Sequence, residues 1–296
     1  MRGRDLSRRA IWRLTEALAE RTGNELVPRT YYSPLPDLER LSEELWRVPR
    51  PIEGVELRVE QGVALLEELA PLIDEFRPPI EPPADGSGFY IENGGYGSVD
   101  AEVLYAMLRR VRPARVVELG SGASSHVISA AARANARHSH PFEHLIFDPF
   151  PFEANPLGPV DGPVVSAVGV EQIDADVIAG LGQRDVLFVD TTHTVKTGGD
   201  VNRVVLEFLP LLAPGVLVHF HDVFLPWEYP RGWVIDERRA YAEQYLLQSF
   251  LAFNSAYEVV FPAHAVTRAA PDLVASCIRS YRAGVAPGAF WIRRTG

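Results

Sequence analysis

Apolar and polar positions follow two different rhythms along this chain. Over the first 85 residues the rhythm is helical. Ala10, Ile11, Leu14, Ala17 and Leu18 recur on one helix face, which predicts an amphipathic helix that packs on something. Leu38, Leu41, Leu45 and Trp46 predict a helix after the proline-rich YYSPLPD, and Val63, Leu65, Leu66, Leu69, Leu72 and Ile73 predict another within 55–76. The stretch RPPIEPPADGSG (77–88) holds four prolines and two glycines, which can sustain neither a helix nor an inner strand. It reads as a connector, so a helical N-terminal extension (1–85) is expected before a second domain (86–296).

Past the connector, short apolar runs alternate with helical patterns. Strands are predicted at RVVELG (115–120), HLIFDPF (144–150), VVSAVGV (164–170), DVLFVD (185–190), VLVHFHD (216–222), YEVVFPA (257–263) and GAFWIRR (288–294). Helices are predicted over 99–110, 124–134, 200–212 and 240–253. This alternation implies right-handed crossovers and an α/β fold, a doubly wound and mainly parallel seven-stranded sheet.

In such a sheet, ligands bind beyond the carboxyl ends of the strands. Polar residues gather there in this chain: 118–122, Asp148, 190–193 and 219–222. In ELGSGASSH, Gly120 and Gly122 let the backbone turn sharply, with Ser121 between them, and the next helix would aim its free N–H groups at a ligand. A dinucleotide fingerprint needs a third glycine where Ser125 stands, which counts against a nicotinamide dehydrogenase. Glu118, just before the turn, suits instead the cationic aminoacyl end of a sulfonium ligand, directly or through water. Asp148, 26 residues after Gly122, can accept two ribose hydroxyls or can cap a turn.

The run VVELGSGASSH, IFDPF, DVLFVDTTH and LPLLAPGVLVHFHDVF resembles the class I S-adenosylmethionine-dependent methyltransferases, in particular the bacterial small-molecule O-methyltransferases. The resemblance spans about Phe89 to the C-terminus. It implies a Rossmann-like sheet whose closing pair includes a reversed strand. It implies that Glu118, Gly120, Ser121 and Gly122 line the methionine part of S-adenosylmethionine, that Asp148 takes the ribose, and that Asn93, in YIENGGYGS, belongs to an entrance loop; Asp190 is counted with the cofactor residues. Two places depart from the family: Ser124 and Ser125 replace a glycine or threonine, and Ala213-Pro214-Gly215-Val216 lacks a second glycine.

Methyl transfer to a hydroxyl needs an aligned acceptor and a proton sink. His193, His221 and Asp222 are the catalytic candidates. His193 is a possible base oriented by Asp190, and His219, deeper in the strand, is expected to be structural. By resemblance, Asp190 and Asp222 stand where related enzymes hold a divalent metal ion. FLPWEYPRGW (224–233) is either an acceptor-facing lid or a buried plug. Two other functions stay open: a metal-dependent hydrolase using Asp190, His193, His221 and Asp222, and a non-catalytic protein that binds S-adenosylmethionine.

Composition narrows the partners. The net charge is −10 with no run of Lys and Arg, so no nucleic-acid partner is expected. The single cysteine, Cys277, excludes an intrachain disulfide, which fits a reducing cytoplasm. No apolar run reaches membrane-spanning length, so no membrane is expected. The expected partner is a small-molecule acceptor. The family resemblance adds a homodimer.

Overall fold

The protein is described from a computed structural model covering residues 2–84, 88–153 and 157–296, with side chains from residue 12 onward. It divides into two compact units, 1–43 and 44–296. In the first unit, α1 (Arg2–Arg21) is the expected N-terminal helix. Of its predicted apolar positions, Leu14 and Leu18 are largely exposed. The helix expected across Leu38–Trp46 does not form. Leu38–Arg40 and Glu43–Trp46 are separate 3-10 turns, because Leu41 adopts an extended conformation between them.

The second unit holds a seven-stranded sheet of order β3-β2-β1-β4-β5-β7-β6. The strands are β1 (Arg115–Leu119), β2 (Glu143–Phe147), β3 (Val164–Ser166), β4 (Val186–Val189), β5 (Leu217–Phe220), β6 (Tyr257–Pro262) and β7 (Phe290–Arg294). The first five run parallel, and β7 lies antiparallel to both β5 and β6, as the reversed strand should. The predicted third strand is cut to three residues, and a 3-10 turn takes its end.

Helices cover both faces. On one lie α2 (Val59–Ile73), α3 (Asp100–Val111), α4 (Ala123–Arg137), α10 (Ala263–Ala269) and α11 (Pro271–Cys277), around a core with Leu66, Leu104, Phe188 and Trp291. The other core gathers Leu187, Phe208, Phe220 and Leu247. It is covered by α5 (Ala175–Ala179), α6 (Asp200–Arg203), a π-helical turn (Val204–Phe208), α7 (Leu209–Leu211) and α9 (Glu243–Leu251), while short α8 (Arg231–Ile235) precedes α9. Sequence periodicity did not reveal α10 and α11; they are short, and Pro271 opens the second at a position where its missing N–H costs nothing.

The helix foreseen in an extension is integral to the sheet unit. Leu66 and Leu69 of α2 are fully buried and belong to the same core as α3 and β6. The compact unit therefore begins at Glu44. The expected edge at 85/86 touches residues 85–87, which lie outside the described residues. Among the described residues no helix is long and apolar enough to cross a membrane.

Truncating Leu69 should cost about 2–5 kcal/mol, the range for a fully enclosed leucine. Urea denaturation of Leu69→Ala measures it. A loss under about 1 kcal/mol would show that α2 is an appendage after all.

Candidate active site

β1 ends in the turn Gly120–Gly122, held by an unusually close approach. Gly120 has φ +90, and a Cβ there would stand 1.9 Å from the Asp190 carbonyl oxygen. Only glycine fits, because both the conformation and the neighbouring backbone forbid a side chain. Gly122 has a different role. Its backbone is extended, and a Cβ would meet nothing within 4 Å. This glycine keeps open space above the N-terminus of α4.

Glu118 lies beneath the turn rather than at its surface. It is completely buried, accepting bonds from Ser124 Oγ (2.8 Å) and Ser125 Oγ (3.0 Å), and its other oxygen is 2.7 Å from His144 Nε2. Direct contact with a ligand's aminoacyl end is therefore not its geometry; its carboxylate braces the turn from below. The two serines that depart from the family pattern supply these bonds, as a buried carboxylate requires.

Asp148 and Ser121 do come together. Ser121 Oγ donates to Asp148 Oδ2 at 2.6 Å, and Asp148 Oδ1 accepts the Phe150 N–H at 2.8 Å. Asp148 thus caps its turn while staying partly exposed beside the open turn. Asn93 spends its amide on its own loop: it donates to the Tyr90 and Tyr96 carbonyls and accepts from the Gly95 and Tyr96 N–H groups. It fixes the shape of residues 90–96 and leaves neither side-chain polar atom without a partner.

The ends of β4 and β5 gather the remaining candidates. His193 Nε2 lies 3.1 Å from Asp190 and 3.5 Å from Asp222, and its Nδ1 lies 2.8 Å from Glu243 Oε2. His221 Nδ1 sits 3.4 Å from Asp190 and 3.5 Å from Asp222, with its Nε2 3.6 Å from Asp100. Asp190, with 31% of its side chain accessible, is the most open member. His193 (φ 54) and Asp222 (φ 57) both occupy the left-handed region, which costs about 1–2 kcal/mol for a residue with a Cβ. Surrounding contacts hold them there: the Ala242 and Glu243 N–H groups at the head of α9 both donate to the His193 carbonyl, at 2.8 and 3.1 Å.

Charge follows from this packing. Burial pushes the His193 imidazole down, but its bonds to Asp190 and Glu243 outweigh burial and hold it well above its ordinary value. For His221, burial is likewise outweighed, by the charges of Asp222 and Asp190. Burial would raise Asp190, yet the His221 charge and the His193 bond bring it below the usual carboxylate range. Burial raises Asp222 and Glu243. Without a bound cation, then, His193 is an imidazolium with both nitrogens on carboxylates, not the free base that its place in the sequence suggested. One donor atom each from Asp190, His193 and Asp222 lies within 4.8 Å of the others, and this pair of carboxylates plus an imidazole suits a divalent ion.

Below the cluster, His219 is buried with Nε2 3.0 Å from the Tyr96 hydroxyl and its ring stacked on Phe188. Burial, aided by the His221 charge, keeps it neutral, in agreement with a structural role. The 224–233 segment is a packed wall: Phe224, Leu225 and Tyr229 are buried, and Trp46 Nε1 donates to the Tyr229 carbonyl at 2.9 Å. The Tyr241 ring lies 4.7 Å from that of His193 and 6.0 Å from that of Trp233. Sequence reading missed Asp100, Glu243, Tyr96 and His144. Asp100 also accepts the Gly288 and Ala289 N–H groups at 2.9 Å, so it ties α3 to the entry of β7. Asp100 and Glu243 each begin a helix, where an acid already has an ordinary explanation.

Residues 117–223 match the family model described as a methyltransferase domain. The matched segment covers a little over a third of the chain and runs from within β1 to just past β5, so it takes in the residues at the carboxyl ends of the inner parallel strands. An uncharacterised protein of Archaeoglobus fulgidus is 29% identical over 143 residues, 46% of this chain and 63% of that protein, so the match spans less than two thirds of the relative. Among solved structures, apo CmcI-N160 is 15% identical over 67% of this chain and 71% of that one, with a TM-score of 0.37. A putative methyltransferase from Thermobifida fusca is 12% identical, covering 83% and 96%, with a TM-score of 0.35. Similarities this low add no weight to the family match.

Gly120→Ala should cost about 3 kcal/mol or more, because backbone strain and backbone contact add. Gly122→Ala should cost under about 1 kcal/mol, its Cβ entering open space. Equal losses in chemical denaturation would refute this division of roles. A second test uses His264, which lies edge-on to Trp227 and Phe224 and which burial, aided by Arg268, pushes down to about 4 from 6.5. The unfolded chain protonates this ring near pH 6.5, the folded chain only near pH 4. The ring's contribution is therefore complete above pH 6.5 and is lost as pH falls toward 4, with about 2 kcal/mol gone by pH 5. His264→Leu should remove that share of the acid sensitivity between pH 7 and 5; an unchanged difference would rule it out.

Proposed function

We propose that this protein transfers the methyl group of S-adenosylmethionine to a hydroxyl oxygen of a small-molecule acceptor. The observation that carries the reading is the adjacency of two half-sites: an open glycine turn flanked by Ser121 and Asp148, and the Asp190–His193–His221–Asp222 cluster, joined where Gly120 packs on the Asp190 backbone. In this reading the methionine end of the cofactor lies over Gly120–Gly122, and the ribose hydroxyls bond to Asp148. The acceptor lies at Asp222, with Tyr241 alongside His193.

The cofactor supplies the electrophilic methyl group, and the protein aligns the acceptor and takes its proton. Asp222, raised by burial, receives the proton from the acceptor hydroxyl. The imidazoliums of His193 and His221 lie beside Asp222 and offset the negative charge that develops on the acceptor oxygen, which is electrostatic stabilisation through charge already in place. A divalent ion held by Asp190, His193 Nε2 and Asp222 is the second reading, favoured by the mutual approach of those three donors. Such an ion would act as a Lewis acid that acidifies the acceptor hydroxyl, and holding it requires His193 to give up its Nε2 proton. The hydrolase alternative loses ground because the matched family model describes a methyltransferase domain.

Calorimetric titration with S-adenosylhomocysteine should give micromolar binding. Asp148→Ala should weaken it at least about tenfold, the value of a hydrogen-bonded pair of hydroxyls, and Gly122→Ala should weaken it while the protein stays folded. No binding to the folded parent would end the methyltransferase reading. Repeating the titration with manganese separates the two chemistries. Tightening that disappears in Asp190→Ala favours the bound ion, and no effect of manganese favours proton transfer to Asp222 alone.

A further inference from the structure

At the opposite end of the strands from Asp190 and Asp222, where β4 and β5 begin, a cleft of about 290 Å³ opens. Its floor is apolar: Met107 of α3 and Leu217 of β5 are buried, and Val260 of β6 is partly buried. Its lining includes three arginines, Arg110, Arg184 and Arg293. This concentration of positive charge runs against a chain whose net charge is −10.

Two of the three arginines have a carboxylate partner, and the third has none among the described residues. Arg110 pairs with Glu68 at 2.8 Å, with both side chains about half exposed. Arg293 shares Glu258 with Arg58. The Arg110–Glu68 pair is open to water and contributes little, so a competing anion can draw on Arg110 at small cost; Glu258 balances only one of the two charges of Arg58 and Arg293, which leaves one positive charge over beside the cleft. The Arg184 side chain makes no hydrogen bond or ion pair among the described residues, and it stands exposed at the mouth of the cleft.

The backbone at Arg184 supplies an independent argument. Its φ is +75, in the region that favours glycine. The turn is fixed by the Arg184 N–H donating to the Gly215 carbonyl at 3.0 Å, while the Gly215 N–H donates to the Arg294 carbonyl at 2.8 Å. The approaches to β4 and β5 and the end of β7 are thereby tied together beneath the cleft. Glycine would satisfy this conformation without strain, yet an arginine occupies it and uses its side chain for no internal bond.

We propose that this cleft binds a small amphipathic anion. Arg110, Arg184 and Arg293 take its carboxylate or phosphate head, which matches the planar guanidinium fork, and Met107, Leu217 and Val260 take a short apolar body. The volume lies at the lower end for ligand pockets, which limits the body to a few carbons. This site does not depend on methyl transfer, for it lies at the other end of the strands from Asp190 and Asp222.

The test is calorimetric titration of the full chain with hexanoate, hexyl phosphate and hexanol. At least one anion should bind with a millimolar or lower dissociation constant, and its rank against the other identifies the head group. Hexanol should bind at least about tenfold more weakly, since it lacks the charge-assisted bonds. Arg184→Gly should lose at least about tenfold of the anion affinity while melting no lower than the parent, because glycine relieves the strained turn. Absence of binding by both anions, equal binding of hexanol, or full affinity in Arg184→Gly would each overturn the proposal.

Discussion

Four carboxylates cannot share one poorly hydrated space unless positive charge comes with them. Asp100, Asp190, Asp222 and Glu243 meet at the carboxyl ends of β4 and β5, and His193 and His221 sit among them with every ring nitrogen facing an acid. Burial alone would strip the protons from both rings. The surrounding carboxylates reverse that preference, so the histidines serve as internal counter-ions. The tertiary structure around the site can be understood as the scaffold this arrangement demands. The head of α9 clamps the His193 backbone, α3 brings Asp100 against the entry of β7, and two residues are held in left-handed conformations to aim their side chains.

The same crowding links the two halves of the candidate site. Because β1 and β4 are neighbours, the turn after β1 passes directly over the carbonyl of Asp190. Gly120 makes that passage possible. A feature that reads as cofactor-binding and a residue that reads as catalytic are thus in backbone contact, and moving one displaces the other. Glu118 sets the floor of this junction by fixing Ser124 and Ser125 at the start of α4.

The two ends of the sheet carry opposite electrostatics. The carboxyl ends of the strands are rich in acids and balanced by imidazoles, while the opposite edge shows guanidiniums around an apolar floor. A parallel sheet separates its two ends by the length of its strands, so each cluster is balanced locally, the acids by His193 and His221, and Arg110 and Arg293 by Glu68 and Glu258.

The sequence by itself determined the sheet. Short apolar runs of two to four residues, each followed by a polar residue, marked β1, β2, β4 and β5, because an inner parallel strand buried on both faces leaves a pattern of that kind. Gly120, Gly122 and the polar residues after each run were legible for the same reason, since ligand chemistry collects at strand ends. Helix periodicity failed across Leu38–Trp46, where the extended Leu41 interrupts the chain, and failed to announce α10 and α11, which are too short to show a face. Tertiary structure alone decided which polar residues meet. Glu243 lies 50 residues from His193 and Asp100 lies 121 residues from His221, and neither distance leaves a local signal. It also decided the roles. Glu118 turned inward to serines and a histidine, Asn93 turned to its own loop, and His193 became a cation, because burial and neighbouring charge are properties of three-dimensional packing and not of residue type.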